Sequence, residues 1–230
     1  KYKVYGELIN TYGYNLEPGS KELTALNYYT NEEITIPLDP TQTPGENAQR
    51  YFAKYNKQKR TFEALTELIQ ETADDIQYLE SISNALDIAL SEADLAQIKE
   101  ELMQSGYIRR KHTKKKVKLT SKPMHYISSD GYDMYVGKNN LQNEELTFSF
   151  ANGNDWWFHA KGAPGSHVIV KSGGDELPDR TFEEAGRLAA YYSKNRGADK
   201  VEIDYIQKKH VKKPNGAKPG FVVYDPYKTE

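Results

Sequence analysis

An apolar stripe at heptad spacing runs through residues 46–88 with no glycine or proline inside it, and it limits the possible folds more than any other feature. With a at Tyr55, Phe62, Ile69, Ile76 and Ser83 and d at Gln58, Leu65, Thr72, Leu79 and Leu86, seven of ten seam positions are apolar over five heptads. That spacing specifies a long helix with a coiled-coil stripe, and such a stripe needs a second strand. Residues 1–12 place Val4, Leu8 and Tyr12 four apart and read as the trailing end of that strand, stopping at Gly13. The chain opens Lys1-Tyr2-Lys3 within this amphipathic element, so it reads as a piece of a longer protein.

Between the two helical stretches, Leu23 to Asp39 gives two strand-like runs around Thr30-Asn31-Glu32-Glu33, a small hairpin closed by Pro40 and Pro44. It is expected at the tip, where the chain turns round. Tyr12, Tyr14, Tyr28 and Tyr29 would put amphipathic rings there, either as a docking surface or as packing for a small β unit. After the long helix, Ser91-Glu92-Ala93-Asp94 resembles a capping box, Leu95, Ile98 and Leu102 continue as a stripe, and Gly106 supplies a stop.

Charge divides the chain. Residues 1–105 hold 9 Lys+Arg against 18 Asp+Glu, a net of -9; residues 106–230 hold 22 against 15, a net of +7; together these give the overall -2. A basic half joined to an acidic half favours nucleic acid or another anionic surface as the partner of the second. The segment Tyr107–Lys122, YIRRKHTKKKVKLTSK, reads as a basic linker: either a solvated charge run, or a phosphate contact whose counterion release makes binding salt-dependent. With no cysteine among 230 residues, disulfides, thiolate zinc sites and cysteine nucleophiles are excluded. No run approaches the ~18 apolar residues of a membrane span, so no membrane insertion is expected.

The basic half reads as an α+β domain with a mainly antiparallel sheet. His125 to Gly137 is a hairpin around Asp130-Gly131, and Gly137-Lys138-Asn139-Asn140 ends its second strand and opens a helix or turn. Asp155–Ala160 and Ser166–Val170 read as strands joined by Lys161-Gly162-Ala163-Pro164-Gly165. Thr181-Phe182-Glu183-Glu184 is expected to cap a helix running to Ser193, with strands at Val201–Ile206 and Phe221–Tyr224. The whole is therefore expected to be α+β: a long coiled-coil arm with a small β tip, then a mainly antiparallel α+β domain. The division is 1–106 for the arm, 107–121 for the linker and 122–230 for the basic domain.

A hydrolase would couple Ser166 or His167 with His159 and Asp155. Asp155, Trp157 and His159 instead step along one strand face, and no G-x-S-x-G elbow presents the serine. A metal would need His159 and His167 to converge without an obvious third ligand. Neither catalysis nor a cofactor is expected, and the histidines are read as satisfying hydrogen bonds in a half-buried sheet. Binding is better supported. Lys208, Lys209, Lys212, Lys213 and Lys218 fall with turn formers in one loop, which suits an anion contact. Trp156 and Trp157 alternate faces, so one of them, Trp156 beside Lys161, could stack an unpaired base if the strand has a solvent side. The candidate binding residues are Arg109, Arg110, Lys114, Lys115, Lys116, Lys138, Trp156, Lys161, Lys208, Lys209, Lys212, Lys213 and Lys218.

The segments GKNN (137–140), DWWFHAKGAPGSHVIV (155–170) and AGRLAAYYSKNRGADKVEIDYIQKKHVKKPNGAKPGFVVY (185–224), with residues 5–59 upstream, resemble the C-terminal half of the NFACT family. That family comprises the fibronectin- or fibrinogen-binding A, RqcH and NEMF-type proteins. The resemblance covers nearly the whole chain. It implies a coiled-coil and middle region to about residue 120 and an RNA-associated domain from about 121. Two roles follow from it. One is binding the large ribosomal subunit with tRNA during rescue of stalled nascent chains, in the cytoplasm; the other is an anchorless surface adhesin that binds fibronectin or fibrinogen. The aromatic, edge-bearing sheets could accept an added strand from such a ligand. The family's N-terminal domain, with the acidic and arginine residues used for tailing, is absent from this sequence, and the terminal strand is shorter than the family pattern.

Overall fold

The computed structural model describes residues 1–109 and 121–224. It divides into two compact units, Lys1–Ala73 and Asp74–Glu230, with the boundary inside the long helix.

In the first unit, helix α1 (Tyr2–Tyr12) passes through a 3-10 turn (Gly13–Asn15) to the hairpin strands β1 (Glu22–Asn27) and β2 (Glu32–Pro37). Helix α2 (Pro44–Ile88) then begins. The hairpin pairs Leu23 with Ile36 and Ala25 with Ile34, which turns one apolar face inward; Asn31, at φ 58°, takes the left-handed turn position that asparagine tolerates. That face meets Leu8 and Ile9 of α1 and Ala48 and Tyr51 of α2 in one core. Helix α2 starts with proline in its first position and a reciprocal cap. The Glu46 N–H donates to Thr43 Oγ1 at 3.3 Å, and the Thr43 N–H donates to Glu46 Oε2 at 2.7 Å.

Helix α1 lies antiparallel to the first turns of α2: Gly13 approaches Pro44, Gly6 approaches Phe52, and Lys54 sits 5.6 Å from the Tyr2 ring. The approach at Gly6 needs glycine, because a Cβ there would lie 2.8 Å from the Phe52 ring. These contacts match the trailing end of an antiparallel coil with the hairpin at its turn. Beyond the half-buried Tyr55, Phe62, Leu65 and Ile69 are exposed, and among the described residues no second helix covers them.

In the second unit, the end of α2 packs through Tyr78, Ile82 and Ala85 against Ile98 of α3 (Glu92–Gln104). The expected capping box forms at Ser91 and Asp94. A five-stranded antiparallel sheet follows, of β3 (Met124–Ile127), β4 (Asp133–Val136), β5 (Trp156–Ala160), β6 (Val168–Val170) and β7 (Ile203–Gln207), in the order β3-β4-β6-β5-β7. Between β4 and β5 lie a short helix α4 (Asn140–Glu145) and a π-helical turn (Leu146–Phe150). Helix α5 (Asp179–Tyr191) covers one sheet face through Ala185 and Ala189, against Met134, Phe158 and Val168. The other face carries Trp157, Ile169 and Ile206 under Leu146, Ala151 and Val211, with Phe148, Val222 and Tyr224 half-buried over them.

Three details differ from the sequence reading. Phe221–Tyr224 is not a strand: with Pro214 and Pro219 interrupting the preceding loop, only an isolated bridge between Lys212 and Val223 forms. Thr181 does not cap α5, which starts two residues earlier; its buried hydroxyl bonds Ser128 Oγ and Asp130 and ties the helix to the β3–β4 turn. Strand β5 is covered on both faces, though not completely: Trp156 is half-buried toward α5, with ring centroids 6.1 Å from both Phe182 and Tyr205, and Trp157 is fully buried on the other face.

Candidate nucleic-acid interface

The lysines singled out from the sequence fall into two groups. Lys138 meets a buried carboxylate: its Nζ lies 2.6 Å from Asp94 Oδ1, with the side chains 13% and 1% exposed. Burial alone would raise the Asp94 pKa, but donors from Lys138, Ser121, Leu90 and Ser91 outweigh it and hold the carboxyl well below its ordinary range. Lys161 pairs with Glu202 at 3.1 Å and Lys213 with Glu144 at 2.7 Å, both at the surface. Lys218 donates to Asp75 and, at 2.9 Å, to Tyr107 Oη, and lies 4.7 Å from the Tyr78 ring centre. Burial would lower its pKa; the bonds to Asp75 and Tyr107 reverse that and raise it.

Lys208, Lys209 and Lys212 form the second group. A 3-10 turn (Lys208–His210) is clipped to the turn before β5 by the Lys208 N–H on the Asp155 carbonyl and the Lys209 N–H on the Gly153 carbonyl, each 2.9 Å. The Lys208 ammonium sits 5.8 Å from the Phe148 ring centre. Lys209 and Lys212 are exposed, and among the described residues neither makes an ion pair. Arg109 is exposed. Arg110, Lys114, Lys115 and Lys116 lie outside the described residues. Trp156 is half-buried and packs beside the Phe182–Tyr205 ring pair.

Beside this turn is a cleft of about 490 Å³. One wall is α2 at Gln77, Tyr78 and Ser81; the others are the loops 162–165 and 214–220, and the floor carries His159, His167 and Tyr224. The second loop is fastened by Lys218 on Asp75 and by the Gly220 N–H on Glu144 Oε2 at 3.2 Å. Gly220 is required there: its φ is +75° and a Cβ would lie 2.9 Å from Asn140. Behind the α2 wall, buried Glu101 accepts from Tyr78 Oη at 3.0 Å and Asn140 Nδ2 at 2.8 Å, and burial raises its pKa.

Both floor histidines are neutral near pH 7, since loss of hydration pushes His159 down to about 4 and His167 well below its ordinary value. His167 Nδ1 lies 2.8 Å from Thr147 Oγ1 and its backbone N–H donates to Asn143 Oδ1 at 3.0 Å. The nominal hydrolytic group is dispersed. Ser166 Oγ donates to the Gly137 carbonyl, and Asp155 is held by Lys171 and the Asn152 N–H. Among the described residues no three potential ligands converge as a metal site would require.

Sequence reasoning did not reach the contribution of α2 to this cleft, because Tyr78 and Ser81 precede the sheet by dozens of residues. The available signal was the pair of Gly/Pro-rich loops, GAPG and PNGAKPG, which let backbone approach a ligand closely.

Residues 1–121 match the model for NFACT N-terminal and middle domains, and residues 122–224 that for the NFACT protein RNA binding domain. The chain is 45% identical over 230 residues to a Rqc2 homolog RqcH of Streptococcus pneumoniae, covering all of this chain and 41% of that protein. It is 43% identical over 232 residues to the Rqc2 homolog RqcH of Bacillus subtilis, covering 98% of this chain and 40% of that one. It thus spans about two fifths of the length of these relatives. The solved C-terminal part of the fibronectin/fibrinogen-binding protein from Streptococcus suis superposes with a TM-score of 0.74 at 40% identity, covering 99% of this chain and 80% of that one. Motifs, family models and architecture agree: the chain belongs to the NFACT family.

Proposed function

We propose that this chain is the binding half of an NFACT protein that acts on the large ribosomal subunit and its tRNA in ribosome-associated quality control, in the cytoplasm, and that it performs no chemistry itself. In this reading residues 1–106 form the arm, 107–121 a basic linker and 122–230 the RNA-gripping domain. The observation that carries it is the unneutralised charge of Lys209 and Lys212, displayed with Lys208 on one clipped segment of the part that matches an RNA-binding domain. Exposed lysines contact phosphates without reading sequence, so binding should weaken steeply with salt. The test is co-sedimentation with large ribosomal subunits: Lys209→Glu with Lys212→Glu should abolish it at moderate salt, and undiminished binding would refute the assignment.

A second reading, a surface adhesin for fibronectin or fibrinogen, draws on the Streptococcus suis relative and on the two-stranded sheet β1–β2, whose outer edges could accept a strand. Retention of fibronectin by residues 1–230 on a surface, lost when Ala25 and Thr35 are replaced by proline, would favour it.

A further inference from the structure

The cleft beside Lys212 is unlike the surface around it. It is large enough for a small-molecule ring system, and its charged lining residues are two, Asp74 and Lys218, the latter bound to Asp75, with Glu101 engaged behind Tyr78 and Asn140. The rest of the lining is rings and uncharged polar groups. His159 stacks on Trp157 with ring centroids 5.6 Å apart and meets His167 edge-on at 5.4 Å; Trp157 packs on Tyr224 at 4.7 Å. Both imidazoles are neutral and attract no anion; His167 is held by Thr147 and the Asn143 backbone, and His159 donates to the Gly165 carbonyl, which leaves the other ring nitrogen of His159 as an acceptor. The Trp157 indole N–H is buried without a partner behind them. A phosphate would find its one lining cation, Lys218, already bound to Asp75, and the Asp74 carboxylate beside it, whereas a planar heteroaromatic ring with polar edges suits such a lining.

The cleft is also joined to the free lysines through the backbone. Lys212 exchanges both backbone hydrogen bonds with Val223, at 2.9 and 2.8 Å, and Val223 stands between Val222 and Tyr224, which line the cleft. Lys213 precedes Pro214, the first cleft residue of its loop. Its ion pair with Glu144 is at the surface, where such pairs contribute little.

We propose that this cleft takes up one unpaired nucleobase of an RNA strand whose phosphates lie against Lys209 and Lys212. The proposal rests on the RNA-binding reading above and adds to it a base-holding site. Stacking and edge hydrogen bonds would hold the base, and the lysines would hold the strand on either side of it.

The experiment measures binding of the whole chain to a short single-stranded RNA and to the same strand made wholly abasic, so that phosphates stay and bases go. The base-bearing strand should bind about tenfold tighter, the typical scale of one stacked base. Ala163→Trp and Ala217→Trp fill the cleft from two different loops, and circular dichroism and melting confirm that each is folded. Either should bring the base-bearing strand down to the affinity of the abasic one and leave the abasic strand unchanged. Lys209→Glu with Lys212→Glu should weaken both strands alike. Equal affinity of the wild type for the two strands, or a base preference that survives in both folded tryptophan variants, overturns the proposal while leaving phosphate binding intact. If the wild type binds neither strand, the RNA-binding reading itself fails, and the base site with it.

Discussion

Two lysine-bearing regions of the second unit use the same side chain for opposite ends. At the junction of α3 and α4, Lys138 is enclosed against Asp94, and its charge answers that of a carboxylate buried beside Ser121 and the N-terminus of α3. At the edge by β7, Lys209 and Lys212 stand in solvent while only their backbone is fixed. A charge closed inside the fold contributes to stability and is lost to ligands; a charge left outside contributes little to stability and remains available. Counting lysines in a basic half cannot separate the two.

The largest effect is expected from breaking the first region. Lys138→Met leaves Asp94 ionised and buried without its ammonium, and urea unfolding should show a loss of about 3–5 kcal/mol. Adding Asp94→Asn should restore much of it, because the uncompensated charge is then gone. RNA affinity of the folded fraction should not move in either variant. A drop in that affinity would place Lys138 in the interface.

Acid separates the same regions by pH. His159 is neutral in the fold with its pKa down at about 4, whereas an unfolded histidine titrates near ~6.5. Between those values the unfolded chain binds more protons, so stability is full above about pH 6.5 and falls as pH drops toward 4, by about 1–3 kcal/mol. Asp94, with a depressed pKa, contributes stability above ~4 and loses it only below, outside this window. Glu101, raised by burial, acts with the opposite sign. Denaturation midpoints at several pH values should therefore fall less steeply in His159→Gln, with buried His167 supplying the slope that remains, and keep their slope in Lys138→Met; the reverse pattern would assign the acid sensitivity to the Asp94 pair.

In the second region, Lys209→Glu with Lys212→Glu should leave stability within about 0.5 kcal/mol of wild type. RNA affinity at low salt should fall about tenfold or more, and the slope of log affinity against log salt should become shallower by about two phosphate contacts. An unchanged slope would mean that these charges do not meet phosphates.

Local signals carried much of the architecture. The heptad stripe free of glycine and proline marked α2, and Asp130-Gly131 marked the β3–β4 turn, because each is written in residues adjacent in sequence. The fate of each charge was not legible. The partner of Lys138 lies 44 residues away and that of Lys218 lies 143 away, so only tertiary packing decides which lysines are neutralised. The tryptophans illustrate the same limit: period two put Trp156 and Trp157 on opposite faces, but α5 half-buries the first and Phe148, Val222 and Tyr224 help to cover the second completely.

Lys218 lies between the two cases and gives the smallest expected change. Its ammonium is engaged by Asp75 and Tyr107, as Lys138 is by Asp94, yet the side chain is 35% exposed and that of Asp75 55%. Solvent screens such a pair, so Lys218→Ala should cost under about 1 kcal/mol in thermal or urea unfolding. Because the charge is already answered by Asp75, the salt slope of RNA binding should stay at the wild-type value, even though the residue sits in the same lysine-rich loop as Lys212 and Lys213. The cleft should loosen, since Lys218 fastens the loop 214–220 to α2, and the preference for base-bearing over abasic RNA should shrink by about twofold to threefold, within the range of a partial stacking loss. A salt slope reduced by about one contact would instead show that Lys218 releases Asp75 to hold a phosphate.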